Sequence, residues 1–292
     1  MAKMVKALLD DQIALTVINS TDIVNEAIRI HGLSPVAAAA LGRTLTMASI
    51  MGSELKSEDD RLTVLIGGGG EIGKITACAF NTGNVKGYVT NPNCTTYTNE
   101  KGKLDVKRAV GTDGLLTVIK DLGLKEPFSA SVKLVSGEIA EDFAQYFLTS
   151  EQRATAVALG VLIDTDGRCI NAAGVFLQVL PLCGEEALKK AETAIEKISS
   201  GVSGAVPTDI EGFINGYFDG FDIKITETRE TEYACDCNED RVARVIRSIG
   251  RNECEKILET EPYIEVACQF CKRAYRYDKK AVEDIFNGKR DN

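Results

Sequence analysis

Cys235-Asp236-Cys237 and Cys268-Gln269-Phe270-Cys271 are two tight cysteine pairs separated by residues 238–267, and the rest of the chain is best read outward from them. Four thiolates in two close pairs match the ligand set of a tetrahedral structural zinc site. Zinc suits such a set because it favours soft sulfur, has no redox chemistry of its own and keeps all four sulfurs deprotonated. The second pair, CQFCKRAY, has the form of a zinc knuckle. Lys272, Arg273 and Arg241 lie near in sequence and are expected to offset the doubly negative centre. The region is charged and only about 60 residues long, so it has little core of its own. Bound zinc can supply roughly 10–16 kcal/mol of apparent folding free energy to such a unit. Spacing alone leaves two readings open, a permanent staple and a redox switch. The CxC form of the first pair is unusual for a zinc ribbon. Each close pair can also collapse into its own disulfide, and the small CxC ring would be strained and easily reduced again.

Upstream of about Thr231 the composition changes. EEALKKAETAIEKISS, residues 185–200, is an amphipathic helix pattern with Leu188, Ala191, Ile195 and Ile198 on one face. SGVSGAVPTD follows as a flexible connection, and DIEGFINGYFDGF as a short Gly-rich apolar helix. Residues 181–230 are therefore expected to form a weakly specified helical linker. Residues 1–180 carry the core pattern. VKALLDDQIALTVIN, residues 5–19, is a hairpin of period-two runs around an Asp-Asp-Gln turn. Thr21 and Asp22 offer an N-cap to IVNEAIRIHG, and a second helix starts at Ser34-Pro35 with proline in the first turn. The small residues of AAAALGRTLTMASIMGSEL predict that this helix is buried. From Arg61 to about Asp121, strand follows strand, each bounded by Gly, Asn or Asp. A further strand in PFSASVKLVSGEI, a helix in EDFAQYFLTSEQ and a hairpin around Asp166-Gly167 complete an α+β fold class. The expected domains are a core at 1–180, the helical linker at 181–230 and a small zinc-binding unit at 231–292.

The chain has 292 residues, 44% apolar and 26% charged, which is ample for a sizeable core. A net charge of -9 argues against nucleic acid as a partner, because phosphate contacts need Lys and Arg. No run has the length of a membrane span. Asp10, Asp11 and Gln12 interrupt the apolar start, so no secretory leader core is read there, and the expected compartment is the cytosol. Nine cysteines is a high count for a reducing compartment, where clustered cysteines bind metal or do redox work more often than they form permanent staples. Cys78, Cys94, Cys169, Cys183 and Cys254 are scattered singly. Cys254, in the helical pattern NECEKILE between the two pairs, is expected to be a buried inert thiol, with mispairing during oxidation as the alternative.

Two tempting motifs carry little. Gly68-Gly69-Gly70-Glu71-Ile72-Gly73-Lys74 approaches a phosphate-binding loop, but Ile75 stands where Ser or Thr should hold magnesium, and KITACAF is a strand pattern rather than a helix. A Gly-rich hairpin turn is expected instead. His31 is the only histidine, and its place at a helix end before Gly32 suits interaction with the helix dipole better than catalysis.

The whole chain resembles the Hsp33 family of redox-regulated chaperones, bacterial holdases of the heat-shock class. The resemblance rests on the CxC and CxxC pairs in type, order and spacing, and on YIEVACQFCKRAYRYDKKAVEDIF at the C-terminal end. VNEAIRIHG, ALGRTLTMASIMGSELK, GKLDVKRAVGTDGLLTVIKDLG and SGEIAEDFAQYFLTSEQ extend it through the body. It implies a zinc ion held by Cys235, Cys237, Cys268 and Cys271 in the reduced protein. It also implies Cys235–Cys237 and Cys268–Cys271 disulfides after oxidation, with zinc leaving, the C-terminal unit unfolding and the linker loosening. Unfolding client proteins would then bind without ATP, and the oxidised form would be a homodimer. The five extra cysteines depart from the family pattern. A thiol–disulfide oxidoreductase using the CxxC pair is the alternative; it calls for that pair at a helix N-terminus with a lowered thiol pKa. A zinc-ribbon nucleic-acid binder is a third reading, opposed by the acidic charge.

Overall fold

Ten strands build two five-stranded antiparallel sheets in a computed structural model that describes residues 1–199 and 206–287. The chain divides into two units, Met1–Ala234 and Cys235–Asn292. Residues 200–205, in the stretch expected as a flexible connection, lie outside the described residues.

The first sheet has the order β10-β1-β2-β9-β8, with β1 Ala2–Leu9, β2 Ile13–Asn19, β8 Thr155–Ile163, β9 Cys169–Val179 and β10 Ile223–Thr231. Its β1–β2 hairpin turns at Asp10 and Asp11, both left-handed (φ 50° and 55°), with the Gln12 N–H donating to the Leu9 carbonyl at 2.9 Å. Positive φ at both central residues is the turn whose twist matches antiparallel strands, and Asp tolerates it. The second sheet has the order β5-β4-β3-β6-β7, with β3 Arg61–Gly67, β4 Lys74–Phe80, β5 Val85–Val89, β6 Leu115–Asp121 and β7 Phe128–Lys133.

Helix α1 spans Thr21–His31, and α2, Pro35–Gly52, has no polar face and packs against strands of both sheets. Its small residues permit that fit. A Cβ on Gly52 would lie 2.7 Å from both Ala79 Cβ and the Phe80 carbonyl oxygen. The main core joins α2 to the inner faces of the sheets through Met4, Ile18 and Val161 on one side and Leu62, Val64 and Ile75 on the other.

The Gly-rich stretch after β3 is a backbone crossing. A Cβ on Gly68 would lie 2.3 Å from the Gly111 carbonyl oxygen, and one on Gly70 would lie 2.2 Å from that of Ala109, in helix α3 (Val106–Val110). The Gly70 N–H donates to the Val110 carbonyl at 2.9 Å. Glycine is needed here for chain-to-chain contact, and the following residues are strand β4, as KITACAF predicts. Helix α4, Ala140–Tyr146, continues into a π turn at Phe147–Glu151 that ends on left-handed Gln152. The segment 141–152 is thus helical with a widened last turn.

The first sheet is apolar on both faces. Val5, Leu9, Leu15, Val175 and Leu177 point away from α2, and two helices cover them: α5, Glu185–Ser199, and α6, Ile210–Tyr217. Ala191, Ile198, Phe213, Ile214 and Phe218 fill the space between. Asn19 and Asn171 each donate a side-chain amide to the Val206 carbonyl, at 3.2 and 3.0 Å. Within residues 181–230 the helical part ends at Tyr217. Ile223–Thr231 is strand β10, antiparallel to β1. Its sequence, IKITETRET, interleaves β-branched and charged residues, a pattern suited to an edge strand.

In the second unit, α7 (Glu239–Ile249) and α8 (Arg251–Thr260) precede a hairpin of β11 (Ile264–Ala267) and β12 (Ala274–Tyr277), and α9 (Lys279–Phe286) follows. Asn238 and Asp278 cap α7 and α9 by accepting the N–H groups of Arg241 and Ala281. The core is small, centred on Val242, Ile246, Cys254, Ile264, Tyr277 and Ile285. No helix among the described residues is long and apolar enough to cross a membrane.

Candidate metal centre

Two short segments carry the four cysteines. Cys235 and Cys237 lie in irregular chain between β10 and α7. Cys268 and Cys271 lie in the turn of the β11–β12 hairpin, whose register pairs Ala267 with Ala274. That turn closes with the Cys268 N–H donating to the Arg273 carbonyl and the Lys272 N–H donating to the Cys268 carbonyl, both at 2.9 Å. Lys272 adopts a left-handed φ of 60° to make this possible.

All four Sγ atoms lie within 4.8 Å of one another. Cys235 Sγ is 3.7 Å from Cys268 Sγ, and Cys237 Sγ is 3.3 Å from Cys271 Sγ. Sulfurs placed tetrahedrally about 2.3 Å from a zinc ion are separated by about 3.8 Å. The set therefore has the size and the donor chemistry of a closed zinc–sulfur site.

The electrostatics favour a first thiolate at Cys237. Burial opposes its ionisation, but hydrogen bonds from the Tyr275 hydroxyl, at 3.2 Å, and from the neighbouring thiols lower it to about 7. Burial and the hydrogen bonds to Cys237 push Cys235 and Cys271 up. In the absence of metal, a thiolate therefore forms first at Cys237, beside Cys235 and Cys271, which hold their protons more tightly. A soft dication would replace those protons.

The basic neighbours divide. Arg241 pairs with Asp236 at 2.6 Å, so its charge is already engaged beside the first cysteine pair. Arg273 is raised by the hydroxyl of Tyr275 and by the negative potential at Cys237 and Cys271. Tyr275 itself is absent from the expected site residues. The signal for it is alternation along β12: Tyr277 is buried in the core, and Tyr275, two residues earlier, shares its face.

The remaining cysteines lie apart from this cluster. Cys254 is buried in the core of the second unit, its Sγ 3.8 Å from the Ile246 carbonyl oxygen, and burial raises its pKa. Burial pushes Cys169 up to about 12, and Cys94 is also raised. Cys78 and Cys183 are half-buried. The CxxC pair occupies a hairpin turn, so the helix N-terminus that activates oxidoreductase thiols has no counterpart there.

Comparison with known proteins places the whole chain beside one family. The family model for Hsp33 protein matches residues 3–278. A 33 kDa chaperonin of Alkaliphilus metalliredigens is 45% identical over 275 residues, covering 93% of each chain. One from Clostridioides difficile is 43% identical over 278 residues and covers 94% of each. The crystal structure of the 33 kDa chaperonin of Thermotoga maritima, a heat shock protein 33 homolog, superimposes with a TM-score of 0.85 at 34% identity. That match covers 100% of this chain and 99% of the other.

Proposed function

Because this chain belongs to the Hsp33 family of chaperones, we propose that it is a redox-switched, ATP-independent holdase that protects unfolding proteins in the cytosol. The observation that carries the reading is the covered apolar face of the first sheet. Helices α5 and α6 lie over Val5, Leu15, Val175 and Leu177, and the same stretch of chain leads, through β10, to the four-cysteine unit.

In the reduced protein, Cys235, Cys237, Cys268 and Cys271 hold zinc. A bound ion supplies the folding free energy that the small core of the second unit lacks, roughly 10–16 kcal/mol for structural sites of this kind. Oxidation uses up the ligands. Two thiolates join as Cys235–Cys237 and two as Cys268–Cys271, and each new S–S bond passes two electrons to an oxidant such as hypochlorite or peroxide. Sulfurs held in disulfides no longer hold the metal, and the unit loses its fold. The linker, deprived of a folded neighbour in sequence, shifts toward its open state. Val5, Leu15, Val175, Leu177 and the apolar faces of α5 and α6 then become available to the apolar segments of unfolding clients. No bond in the client is made or broken, and the oxidised form is a homodimer.

The test is light scattering from a thermally aggregating client, without ATP, with reduced and with oxidised protein. Suppression by the oxidised form alone is the expected result. Equal activity in both states, or a requirement for ATP, would overturn the reading. Sedimentation of the two forms checks the dimer.

A further inference from the structure

A groove of about 530 Å³ lies in the first unit between α4, α5 and the first sheet. Its floor is apolar and includes Ile13 and Leu177 of the sheet. Leu148 of the π turn forms one wall, and Leu188 and Ile195 of α5 form the other. Leu148 is 60% exposed and Leu188 37%, so the walls present apolar surface that the fold leaves uncovered. The charged groups in the lining are two carboxylates, Glu141 on α4 and Glu192 on α5. Neither has an ion-pair partner among the described residues.

An apolar floor between two unpaired carboxylates selects by charge as well as by shape. Both carboxylates are exposed at the rim of the groove, so they discriminate a ligand's charge chiefly at low ionic strength, where an apolar anion would be repelled by both. A cation with a hydrocarbon or aryl body satisfies both parts of the lining. The volume falls in the range of small-molecule sites, from about 300 to 1,000 Å³.

We propose that this groove binds a small apolar cation, an alkyl or aryl body bearing an ammonium group, and that the occupant braces α5 against the sheet. One wall belongs to α5 and the floor to the sheet, so the complete site exists only while α5 is docked. A ligand that binds one state alone shifts the equilibrium toward it. At ten times its Kd, such a ligand lowers the open fraction of α5 about eleven-fold. That the brace also delays activation rests on the reading of α5 as part of a releasable linker. Binding and bracing do not rest on it.

The probe is n-decylamine, titrated calorimetrically into the full-length reduced protein at low salt, with decanoate and n-butylamine as controls for charge and chain. One site per chain is expected for decylamine, with decanoate and butylamine each at least about ten-fold weaker. The double variant Glu141→Gln/Glu192→Gln should lose the preference for the amine over the acid. Leu148→Lys, at an exposed position that leaves the fold intact, should abolish amine binding by placing an ammonium beside the groove. Hydrogen exchange across residues 185–199 of the reduced protein should slow when decylamine is bound. Equal binding of decanoate, unchanged amine affinity in the double variant, or unaltered exchange in α5 would overturn the proposal. Because these measurements use reduced protein without clients, their failure is distinct from failure of the chaperone reading.

Discussion

Asp10 and Asp222 hold each other reciprocally. The Asp10 N–H donates to the Asp222 carbonyl at 2.9 Å, and the Asp222 N–H donates to Oδ1 of Asp10 at 2.7 Å. In the same hairpin turn, Oε1 of Gln12 accepts the Gly184 N–H at 2.7 Å. Gly184 precedes α5 and Asp222 follows α6, so one turn fastens both ends of the segment that covers the first sheet. Asp10→Gly keeps the left-handed turn and removes the carboxylate, and Gln12→Ala removes the second acceptor. Together they are expected to weaken closure by about 1–3 kcal/mol, the sum of two exposed hydrogen bonds. Faster hydrogen exchange over residues 185–217 of the reduced double variant is the measurement. Exchange at the wild-type rate would show that the turn fastens nothing.

Close sulfur contacts run across the two cysteine pairs, 3.3 Å for Cys237 with Cys271 and 3.7 Å for Cys235 with Cys268. The proposed switch needs the opposite connectivity. Cross-links between the pairs would staple the unit shut and keep α7, α8 and the hairpin together, whereas links within each pair release the two segments from one another. Oxidation with hypochlorite is therefore expected to yield Cys235–Cys237 and Cys268–Cys271, resolved by mass spectrometry of proteolytic peptides. Cys254→Ala should leave that pattern and its rate unchanged, since the thiol is buried and its pKa raised. Finding 237–271 as the dominant product would refute the release mechanism.

Tyr275 donates its hydroxyl to Cys237 Sγ at 3.2 Å. A hydrogen bond to a ligand sulfur orients it and stabilises its negative charge, and loss of such outer partners typically weakens metal binding by about 10–100-fold. Tyr275→Phe removes the bond and keeps the ring. A chelator competition should then report zinc affinity weaker by about ten-fold, with the secondary structure of the zinc-bound variant intact. Unchanged affinity would mean that the hydroxyl is an incidental neighbour.

The sequence announces the metal centre more plainly than it announces the cover over the first sheet. Cys235, Cys237, Cys268 and Cys271 are unusual residues at unusual spacing, and the hairpin that unites them is written in YIEVA and AYRY. Tyr275 escapes notice because a tyrosine on a short strand reads equally well as core. The buried helix α2 is legible from its alanines, since a helix with no polar face must be enclosed. What α5 covers is not legible, because Leu188, Ala191, Ile195 and Ile198 mark an apolar stripe without naming its partner. Strand β10 is hidden for a related reason. Its alternation is carried by Thr, Glu and Arg, and an edge strand declares itself only once β1 is beside it. The glycines at 68–70 read as a hairpin turn and do join β3 to β4, but the chain that crosses them at Gly111 is not legible from the sequence.

Glu151 provides a pH signature for the first unit. Burial opposes its charge, but Lys120 at 2.5 Å, Arg153 at 3.1 Å and the Tyr146 hydroxyl at 2.9 Å hold its carboxyl below the usual range. A carboxylate with a lowered folded-state pKa stabilises the fold fully above its unfolded value, about 4.3, and that contribution is lost as pH falls through the folded value. Glu151→Gln should cost about 1.5–3 kcal/mol near neutral pH, the range for hydrogen bonds to charged groups. The difference between wild type and variant should shrink steadily below about pH 4. Denaturant unfolding at several pH values measures it, and the difference cancels other acid-sensitive groups common to both proteins. A difference that stays constant from neutral to acid pH would remove Glu151 as the source.

The four-cysteine unit is expected to be coupled to the linker. Residues 232–234 are already tied to the core: the Val85 N–H donates to the Glu232 carbonyl at 3.0 Å, the Ala234 N–H donates to the Val85 carbonyl at 2.8 Å, and the Tyr233 hydroxyl donates to the Gly87 carbonyl at 2.8 Å. A chain ending after Ala234 therefore keeps β10, its pairing with β1 and these ties, and loses the four-cysteine unit alone. A ligand biases an equilibrium only through its differential affinity, and four preorganised thiolates bind zinc far better than an unfolded chain does. If that bias keeps the linker docked, the truncated protein should suppress client aggregation under reducing conditions. Its residues 185–217 should also exchange hydrogen faster than those of the full reduced chain. If α5 and α6 are instead held by their own apolar contacts and by the Asp10 and Gln12 turn, the truncated protein stays inactive with its linker fully protected. That second outcome would place the switch in oxidised cysteines acting on something other than linker release, because removing the unit would then have no effect on the surface it was supposed to guard.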